Sequence, residues 1–220
     1  MNKLPLIAAA IAVLAVGGWY FSSQSDGTPG ATSFTAEAQD TADANLSLVS
    51  EMTLGNPDAD VTVIEYASFT CPHCATFHDA VFPQLKANYI DPGKINFIYR
   101  EVYFDRFGLW AGITARCGGA DRYFGIADML YERQKEWAQG EPSEIAANLR
   151  KIGKTAGLTE EQLDTCFADA EKAKAMVATF EQNAAEDNIR STPSFVIDGE
   201  LMNNMNYDDF ASILDERLGD

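Results

Sequence analysis

The chain has few basic residues, few cysteines and almost no histidine. Its 220 residues include 16 Lys and Arg against 33 Asp and Glu, giving a formal net charge of −17 at pH 7, and they contain four cysteines and two histidines. Nucleic-acid binding depends on clustered cations that displace condensed counterions from the phosphates. The sequence has no cluster of Lys and Arg of that kind. We therefore expect no nucleic-acid partner.

The cysteines are also too few and too scattered for a structural zinc site. Zinc is held by four ligands in paired spacing, whereas only Cys71 and Cys74 are close in the chain, and Cys117 and Cys166 stand apart. A chain of this length can bury a core without cross-links, so a close cysteine pair has another purpose. We expect no metal and no other cofactor. A copper site at the close pair and its neighbouring histidines remains an alternative, because soft thiolates suit Cu(I).

One long apolar run lies at the N-terminus. Residues 4–21, LPLIAAAIAVLAVGGWYF, follow Lys3 and precede a polar segment. Residues 1–21 are thus a signal peptide or an N-terminal membrane anchor: the cleavage signal AVG is weak, and the terminal Trp and Tyr suit a membrane interface. In both cases Lys3 stays cytoplasmic, so the remainder reaches an extracytoplasmic compartment that permits disulfides. We expect a periplasmic protein, tethered to the inner membrane if residues 4–21 are retained as an anchor.

The remaining sequence predicts a flexible linker followed by a folded α/β region. Residues 22–45 are rich in Ser, Thr, Gly, Ala and Asp and predict a linker. Residues 61–69 and 94–104 are β-rich and flank a helical pattern that Pro83 is expected to kink, which predicts two parallel strands joined by a helical crossover. The segment Asp198-Gly199 predicts a two-residue hairpin turn.

The pattern between the strand regions is helical for some eighty residues. We expect an inserted helical domain over residues 106–188, and a first domain formed by residues 46–105 plus 189–220. Within the insertion, Thr159 and Gln162 have the spacing of a capping box. The expected order is β-β-α-β, a block of helices, then β-β-α.

The motif Cys71-Pro72-His73-Cys74 lies at the junction of a predicted buried strand and a helix. A helix N-terminus stabilises a thiolate placed on it, His73 can add to that stabilisation, and Pro72 suits the first helical turn because its missing N–H costs nothing there. Stabilising the thiolate stabilises the reduced pair, which makes the disulfide a stronger oxidant. A purely structural disulfide is a poor alternative, since so small a loop removes little chain entropy.

Two stretches, VIEYASFTCPHC and STPSFVIDG, closely resemble the bacterial DsbA-like thiol:disulfide interchange proteins of the thioredoxin superfamily. The resemblance covers about residues 48–218. It implies a thioredoxin fold, an α/β fold, with an inserted helical domain, and the activity of a thiol:disulfide oxidoreductase.

The resemblance also implies roles for individual residues. Cys71 is the nucleophile that forms a mixed disulfide with a client protein, and Cys74 is its buried partner. Thr192-Pro193 matches the loop that contains a cis-proline beside the disulfide, although a Thr-Pro pair can also simply end a helix. Glu65 matches an acidic residue beneath the site and would accept a proton from Cys74; an exposed strand carboxylate is the alternative.

Two further residue assignments complete the expectations. Cys117 and Cys166 form an even pair in an exported chain, which predicts a structural disulfide; two buried free thiols are the alternative. The second histidine, His78, is expected to fill the surface or the core and not to serve the site.

The function expected from these features is a protein disulfide oxidase. Its clients would be exported proteins with free thiols, and a membrane thiol oxidase would reoxidise it. Two other functions stay open: a disulfide isomerase or reductase using the same motif in reduced form, and a metal-binding thiol module. Against an isomerase, such proteins usually dimerise through an extra N-terminal domain, and only the short linker precedes the folded region here.

Overall fold

The computed structural model of the chain describes residues 43–219. The signal peptide or anchor expected at residues 1–21 lies outside these residues, as does nearly all of the linker expected at residues 22–45. None of the helices within residues 43–219 has the length and apolar character that a membrane span requires.

A five-stranded mixed sheet forms the centre of the fold. Its strands lie in the order β1-β3-β2-β4-β5; β2 and β3 pair in parallel, and the other neighbours are antiparallel. The β-branched stretch after residue 60 forms β2, which pairs on both sides and has buried residues on both faces. The strands are β1 (Met52–Gly55), β2 (Val61–Ala67), β3 (Ile95–Glu101), β4 (Ser194–Ile197) and β5 (Glu200–Asn203).

The crossover from β2 to β3 is helical, as expected, but it is interrupted. Helix α1 (Pro72–Ala80) is capped by Val81. Helix α2 (Phe82–Leu85) follows with Pro83 in its first turn and leads into a π-helical turn at Lys86–Ile90. Proline has no N–H to continue the hydrogen bonds of the preceding helix. The kink predicted at Pro83 is therefore present as a break between two helices.

The connection from β4 to β5 is the predicted two-residue turn. Asp198 and Gly199 have φ values of 48° and 85°. Two successive positive φ values match a turn whose twist fits antiparallel strands, and Asx-Gly pairs favour it. The hairpin predicted from Asp198-Gly199 is confirmed.

A block of helices separates β3 from β4, and the observed element order is the predicted one. Within it, Thr159 and Gln162 make both hydrogen bonds of the predicted capping box. The helices of the block are α3 (Arg106–Cys117), α4 (Ala120–Glu132), α5 (Gln134–Trp137), α6 (Pro142–Thr155), α7 (Glu160–Ala168) and α8 (Ala170–Glu186). Helix α9 (Tyr207–Leu218) closes the described chain.

A buried ion pair connects the sheet to this block. Arg116 of α3 donates from Nε to Oε1 of Glu101, the last residue of β3, at 2.7 Å, and from a terminal nitrogen to the carbonyl of Ser50 at 2.9 Å. Both side chains are almost fully buried. Because a buried charge without its partner is costly, this pair holds α3 against the end of β3.

A disulfide joins two helices of the block. Cys117, the last residue of α3, is bonded to Cys166 of α7, with the two Cα atoms 5.8 Å apart. The bridge closes a loop with a sequence separation of 49 residues. The structure thus has the expected pairing and not two free thiols at these positions.

Removing this bridge should lower the stability of the protein. In the chain-entropy account, a loop of this length contributes about 4 kcal/mol to the free energy of unfolding. We expect Cys117→Ala/Cys166→Ala to lower the unfolding free energy by about 2–4 kcal/mol in equilibrium urea denaturation. The comparison is made in a Cys71→Ser/Cys74→Ser background, so that only this disulfide changes. Unfolding midpoints that coincide with and without the bridge would contradict the expectation.

Candidate functional site

The motif residues form the start of α1, directly after β2. Cys71 is the N-cap residue: its backbone is extended, and its Sγ accepts a hydrogen bond from the N–H of Cys74 at 3.4 Å. Pro72 is the first residue of the helix, where the lack of an N–H leaves no hydrogen bond unmade. The sulfur of Cys71 therefore lies against the N-terminal N–H groups of α1, as the motif predicts.

The two cysteines differ sharply in exposure. Cys71 is half-buried, Cys74 is fully buried, and both are free thiols in this structure. A protein thiol approaching from solvent can reach the first sulfur and not the second. The arrangement suits a Cys71 that exchanges with thiols from solvent, either as the attacking or as the attacked sulfur, and a Cys74 that reacts only with Cys71.

The surroundings shift the two cysteine pKa values in opposite directions. The pKa of Cys71 is lowered to about 5, first by a hydrogen bond from the Cys74 thiol and then, against the effect of burial, by hydrogen bonds from the side chain of Thr192 and from the backbone N–H groups of Cys74 and His73. Burial and the hydrogen bond with Cys71 raise the pKa of Cys74 far above its ordinary range. At neutral pH the reduced site therefore holds a thiolate on Cys71 and a thiol on Cys74.

His73 contributes through its backbone, and its side chain is exposed. The expected effect of its imidazole on the Cys71 thiolate stays a prediction.

The loop before β4 lies beside Cys71. Thr192-Pro193 is a cis peptide bond, and Sγ of Cys71 lies 3.5 Å from the carbonyl oxygen of Thr192, to which it donates when it is protonated. Residues 71 and 192, far apart in the chain, are thus in contact at the site, as the resemblance implies. The Thr192 carbonyl is a hydrogen-bond acceptor immediately beside the reactive sulfur.

Glu65 lies in the interior beneath the site, on β2. It is fully buried, and both of its carboxylate oxygens are within hydrogen-bond distance of Nε2 of His78, at 3.0 and 3.1 Å. The alternative of an exposed strand carboxylate is therefore wrong. His78 is therefore more than the space-filling residue that we expected, because it pairs with Glu65.

A signal for this partner is present in the sequence. His78 follows Cys74 by four residues, and positions four apart share one face of a helix. That face of α1 packs on the sheet, on the side where Glu65 lies.

Tyrosines from two elements surround the buried pair. The hydroxyls of Tyr99 on β3 and Tyr131 on α4 are 2.5 Å apart, and the ring of Tyr131 stacks on that of His78 at 4.1 Å. Burial raises the pKa of Tyr131 well above 10, and the charges that Cys74 and Glu65 carry when ionised raise it further. Cys74 and Glu65 thus act on the same buried hydroxyl.

Gln134 is a site residue that the sequence analysis did not single out. Its side-chain amide donates to the carbonyls of Phe69 and Cys71, at 2.8 and 2.9 Å, so that α5 of the helical block holds the loop leading into α1. Nothing in the sequence links Gln134 to the motif, which lies some sixty residues earlier.

Within residues 43–219, no group of three or more His, Cys, Asp or Glu side chains is arranged to hold a metal ion. Nε2 of His78 is bound to Glu65 instead of facing the cysteines.

The chain is similar to known proteins both in sequence and in fold. A family model described as Thioredoxin matches residues 47–216, which is most of the chain. The chain belongs to the thioredoxin family. A relative from Rickettsia bellii, named "Putative protein-disulfide oxidoreductase", is 31% identical over 169 residues, covering 76% of this chain and 64% of its own length. Disulfide bond formation protein D of Bacillus subtilis is 25% identical over 194 residues, which is 84% of each chain.

Solved structures agree with this family assignment. The crystal structure of alpha-DsbA1 from Wolbachia pipientis matches with a TM-score of 0.69 and 26% identity, over 82% of this chain and 96% of that chain. The resemblance to DsbA-like members of the thioredoxin superfamily and the predicted fold class, a thioredoxin fold with an inserted helical domain, are confirmed. The Rickettsia relative is named as a protein-disulfide oxidoreductase, which is the enzyme class expected from the sequence. The chain spans just under two thirds of the length of the Rickettsia relative.

The low pKa of Cys71 has a direct kinetic consequence. In the reduced protein, the rate of alkylation by iodoacetamide should rise with pH to half its maximum near pH 5, because the thiolate is the reactive form. Below that pH the thiolate is protonated and the rate falls. The modified residue, identified by mass spectrometry, should be Cys71, with Cys74 unmodified because it is buried and protonated.

The variant Cys74→Ala removes the largest cause of this shift and keeps the helix N–H groups. We expect its midpoint to move upward while remaining below that of an ordinary cysteine, about pH 8.5. A wild-type midpoint at that ordinary value would show that the helix start does not stabilise the thiolate.

Proposed function

We propose that this chain is a protein thiol:disulfide oxidase that donates the Cys71–Cys74 disulfide to exported client proteins. The observation that carries the proposal is the contrast between the two sulfurs, one an accessible thiolate at the start of α1 and the other a buried thiol. An environment that stabilises the thiolate stabilises the reduced pair. The disulfide is then readily reduced, which is the property of an oxidant.

The proposed exchange uses both cysteines. A client thiolate attacks Sγ of Cys71, the Cys71–Cys74 bond breaks, and Cys74 leaves and takes up a proton. A second client thiolate then attacks the client sulfur of the mixed disulfide, and Cys71 leaves as a stabilised thiolate. The client has lost two electrons and two protons, and the enzyme has gained two electrons.

Neighbouring residues have supporting roles in the proposal. Glu65 gives and accepts the proton of Cys74 from its buried position on β2. The carbonyl of Thr192 accepts a hydrogen bond from an extended client backbone lying across Cys71, and cis-Pro193 shapes that loop.

The proposal includes a compartment and partners. The apolar run at residues 4–21 supports export, with the folded region in the periplasm and tethered to the inner membrane if that run is retained. Clients are exported proteins with free thiols, and a membrane thiol oxidase restores the disulfide. We further propose residues 46–105 plus 189–220 as the thioredoxin-like domain and residues 106–188 as the inserted helical domain.

The redox potential of the Cys71–Cys74 pair tests the oxidase against a reductase. Equilibration with glutathione should give the pair a redox potential well above that of a reducing thioredoxin, which is about −270 mV. Its pH dependence is a second signature. Above the Cys71 pKa of about 5, reduction takes up one proton, on Cys74, so the potential should fall by about 30 mV per pH unit; below it two protons are taken up and the slope is about 59 mV.

Two controls separate the other functions. A potential as low as that of thioredoxin would favour the reductase or isomerase and contradict the oxidase. If Cys71→Ser oxidised a reduced client protein as fast as wild type does, thiol exchange at this motif would be excluded altogether. Copper retained in stoichiometric amount through chelation would then favour the metal-binding module.

A further inference from the structure

We propose that His78 is a proton-relay and positioning residue for Cys74, which acts through Glu65 and exchanges protons with the solvent of a cleft beside α1. The inference rests on the proposed function and deepens it. It assigns the route by which the proton of a fully buried thiol reaches water.

The route is needed because neither of the inner groups touches solvent. Cys74 and Glu65 both have 0% exposure. Each exchange cycle protonates and deprotonates Cys74, so a proton must enter and leave the interior once per turnover. Glu65 can hold that proton, but it cannot pass it to water directly.

His78 lies at the boundary between this interior and the cleft. Its Nε2 faces both oxygens of Glu65, so the imidazole can donate to the carboxylate or accept a proton from it. The same ring forms part of the wall of a cleft of about 710 Å³ between α1, α2, α4 and α5. His78 is therefore in contact with the buried acid and adjacent to solvent.

The second ring nitrogen is free to take part. Nδ1 of His78 is buried and has no hydrogen-bond partner among the described residues. A histidine fixed only to support Glu65 would be expected to bind its other nitrogen to the backbone or to a carboxylate. No hydrogen bond at Nδ1 therefore fixes the ring in one tautomer.

The groups that face His78 come from every element packed on it. They are Glu65 of β2, Tyr99 of β3, Tyr131 and Asp128 of α4, Phe82 of α2, and Phe77 of α1 itself.

Asp128 is the acid on the cleft side of the ring. Desolvation raises the pKa of Asp128, and the charge of a protonated His78 opposes that rise. Since Glu65 lies on one side of the ring and Asp128 on the other, His78 is placed to carry a proton across this boundary. Imidazole suits the task because its ordinary pKa lies near neutral pH.

The relay is clearest in the second step of reoxidation by oxidised glutathione. First the Cys71 thiolate attacks glutathione disulfide, which forms a mixed disulfide and releases one glutathione thiolate. Then Cys74 loses its proton to Glu65, and its thiolate attacks Sγ of Cys71. The Cys71–Cys74 bond forms, and the second glutathione leaves as a thiolate. The proton passes from Glu65 to Nε2 of His78, and the imidazolium then gives up a proton to the solvent of the cleft that its ring lines.

The test measures the two steps separately in the full chain. Reduced protein is mixed with oxidised glutathione at pH 4.5–9, acid-quenched at intervals and analysed by mass spectrometry for the mixed disulfide and for the internal disulfide. The variants are His78→Gln, which keeps a donor for Glu65 and cannot titrate, Glu65→Gln, and the double variant. Asp79→Asn is the matched control, because it removes a charge from the same helix and cleft without contacting Glu65.

We expect His78→Gln to slow the second step by about 100-fold or more, the range for loss of general acid–base catalysis, and to leave the first step within about 2-fold. The pH dependence of the second step near neutrality should be lost. In the Glu65→Gln background, adding His78→Gln should have no further effect, and Asp79→Asn should behave as wild type. These results together would support the relay.

Other outcomes overturn the relay and leave the proposed function standing. One is an unchanged second step in His78→Gln. Another is an equal loss in both steps, which indicates a structural role. If the first step itself is absent in wild type, the thiol-exchange function fails, and this failure is distinct from that of the relay.

A measurement on the wild-type protein covers the case in which His78→Gln does not fold. The imidazole signals of His78, assigned by comparison with His73→Gln because the chain has two histidines, are followed by NMR against pH in the reduced and oxidised states. The relay predicts a titration of His78 that shifts between the two states. A ring that does not titrate from pH 4.5 to 9 in either state would refute it.

Discussion

The hydrogen bond from the backbone N–H of Cys74 to the sulfur of Cys71 is the interaction on which the site depends. It makes Cys71 the N-cap of α1, so the helix begins at Pro72 and its unpaired N–H groups converge on one sulfur. The same geometry places Cys74 one turn into the helix, on the face that packs on the sheet. One sulfur at the surface and one in the core are therefore a single consequence of where the helix starts. That start is fixed in turn by β2, which is buried on both faces and delivers the chain to this point.

Placing a reactive thiol in the core creates a second constraint. Charges there are poorly solvated, so an ionisable group needs a partner and the proton needs a path. Glu65 satisfies the first need by pairing with His78, and the tyrosine hydroxyls of residues 99 and 131 pair with each other instead of competing for the carboxylate. The unpartnered Nδ1 of His78 is the exception in this otherwise satisfied cluster. Buried polar groups without partners are uncommon and often functional, which is why the proton path is assigned to this ring.

Much of the fold and the centre of the site could be predicted from the sequence. The strand-helix junction, the Asp198-Gly199 turn and the Thr159 capping box depend on neighbouring residues, and local pattern reveals such features. The position of Thr192 beside Cys71 is not local, and it was expected only through the resemblance of two separate stretches. Gln134 was missed because its role depends on how α5 packs against the loop before α1, which no pattern near Gln134 records. The role of His78 could not be predicted for a different reason. Its spacing from the motif indicates which face of the helix it occupies, but only the register of β2 shows that Glu65 lies opposite that face.

The helical block is part of the active site and not merely attached to it. Gln134 donates to the carbonyl of Cys71, and Tyr131 stacks on His78. Residues of the block therefore contact α1 both at its start and near its end. A displacement of the block would therefore release the loop before Cys71 and open the surroundings of Glu65 to water, which would change the thiolate's stability and the proton path together. The buried pair between Glu101 and Arg116 opposes such a displacement from the sheet side. The disulfide at the end of α3 restrains the block internally. In this protein the elements far from the motif act on its chemistry by keeping the space around Cys74 closed.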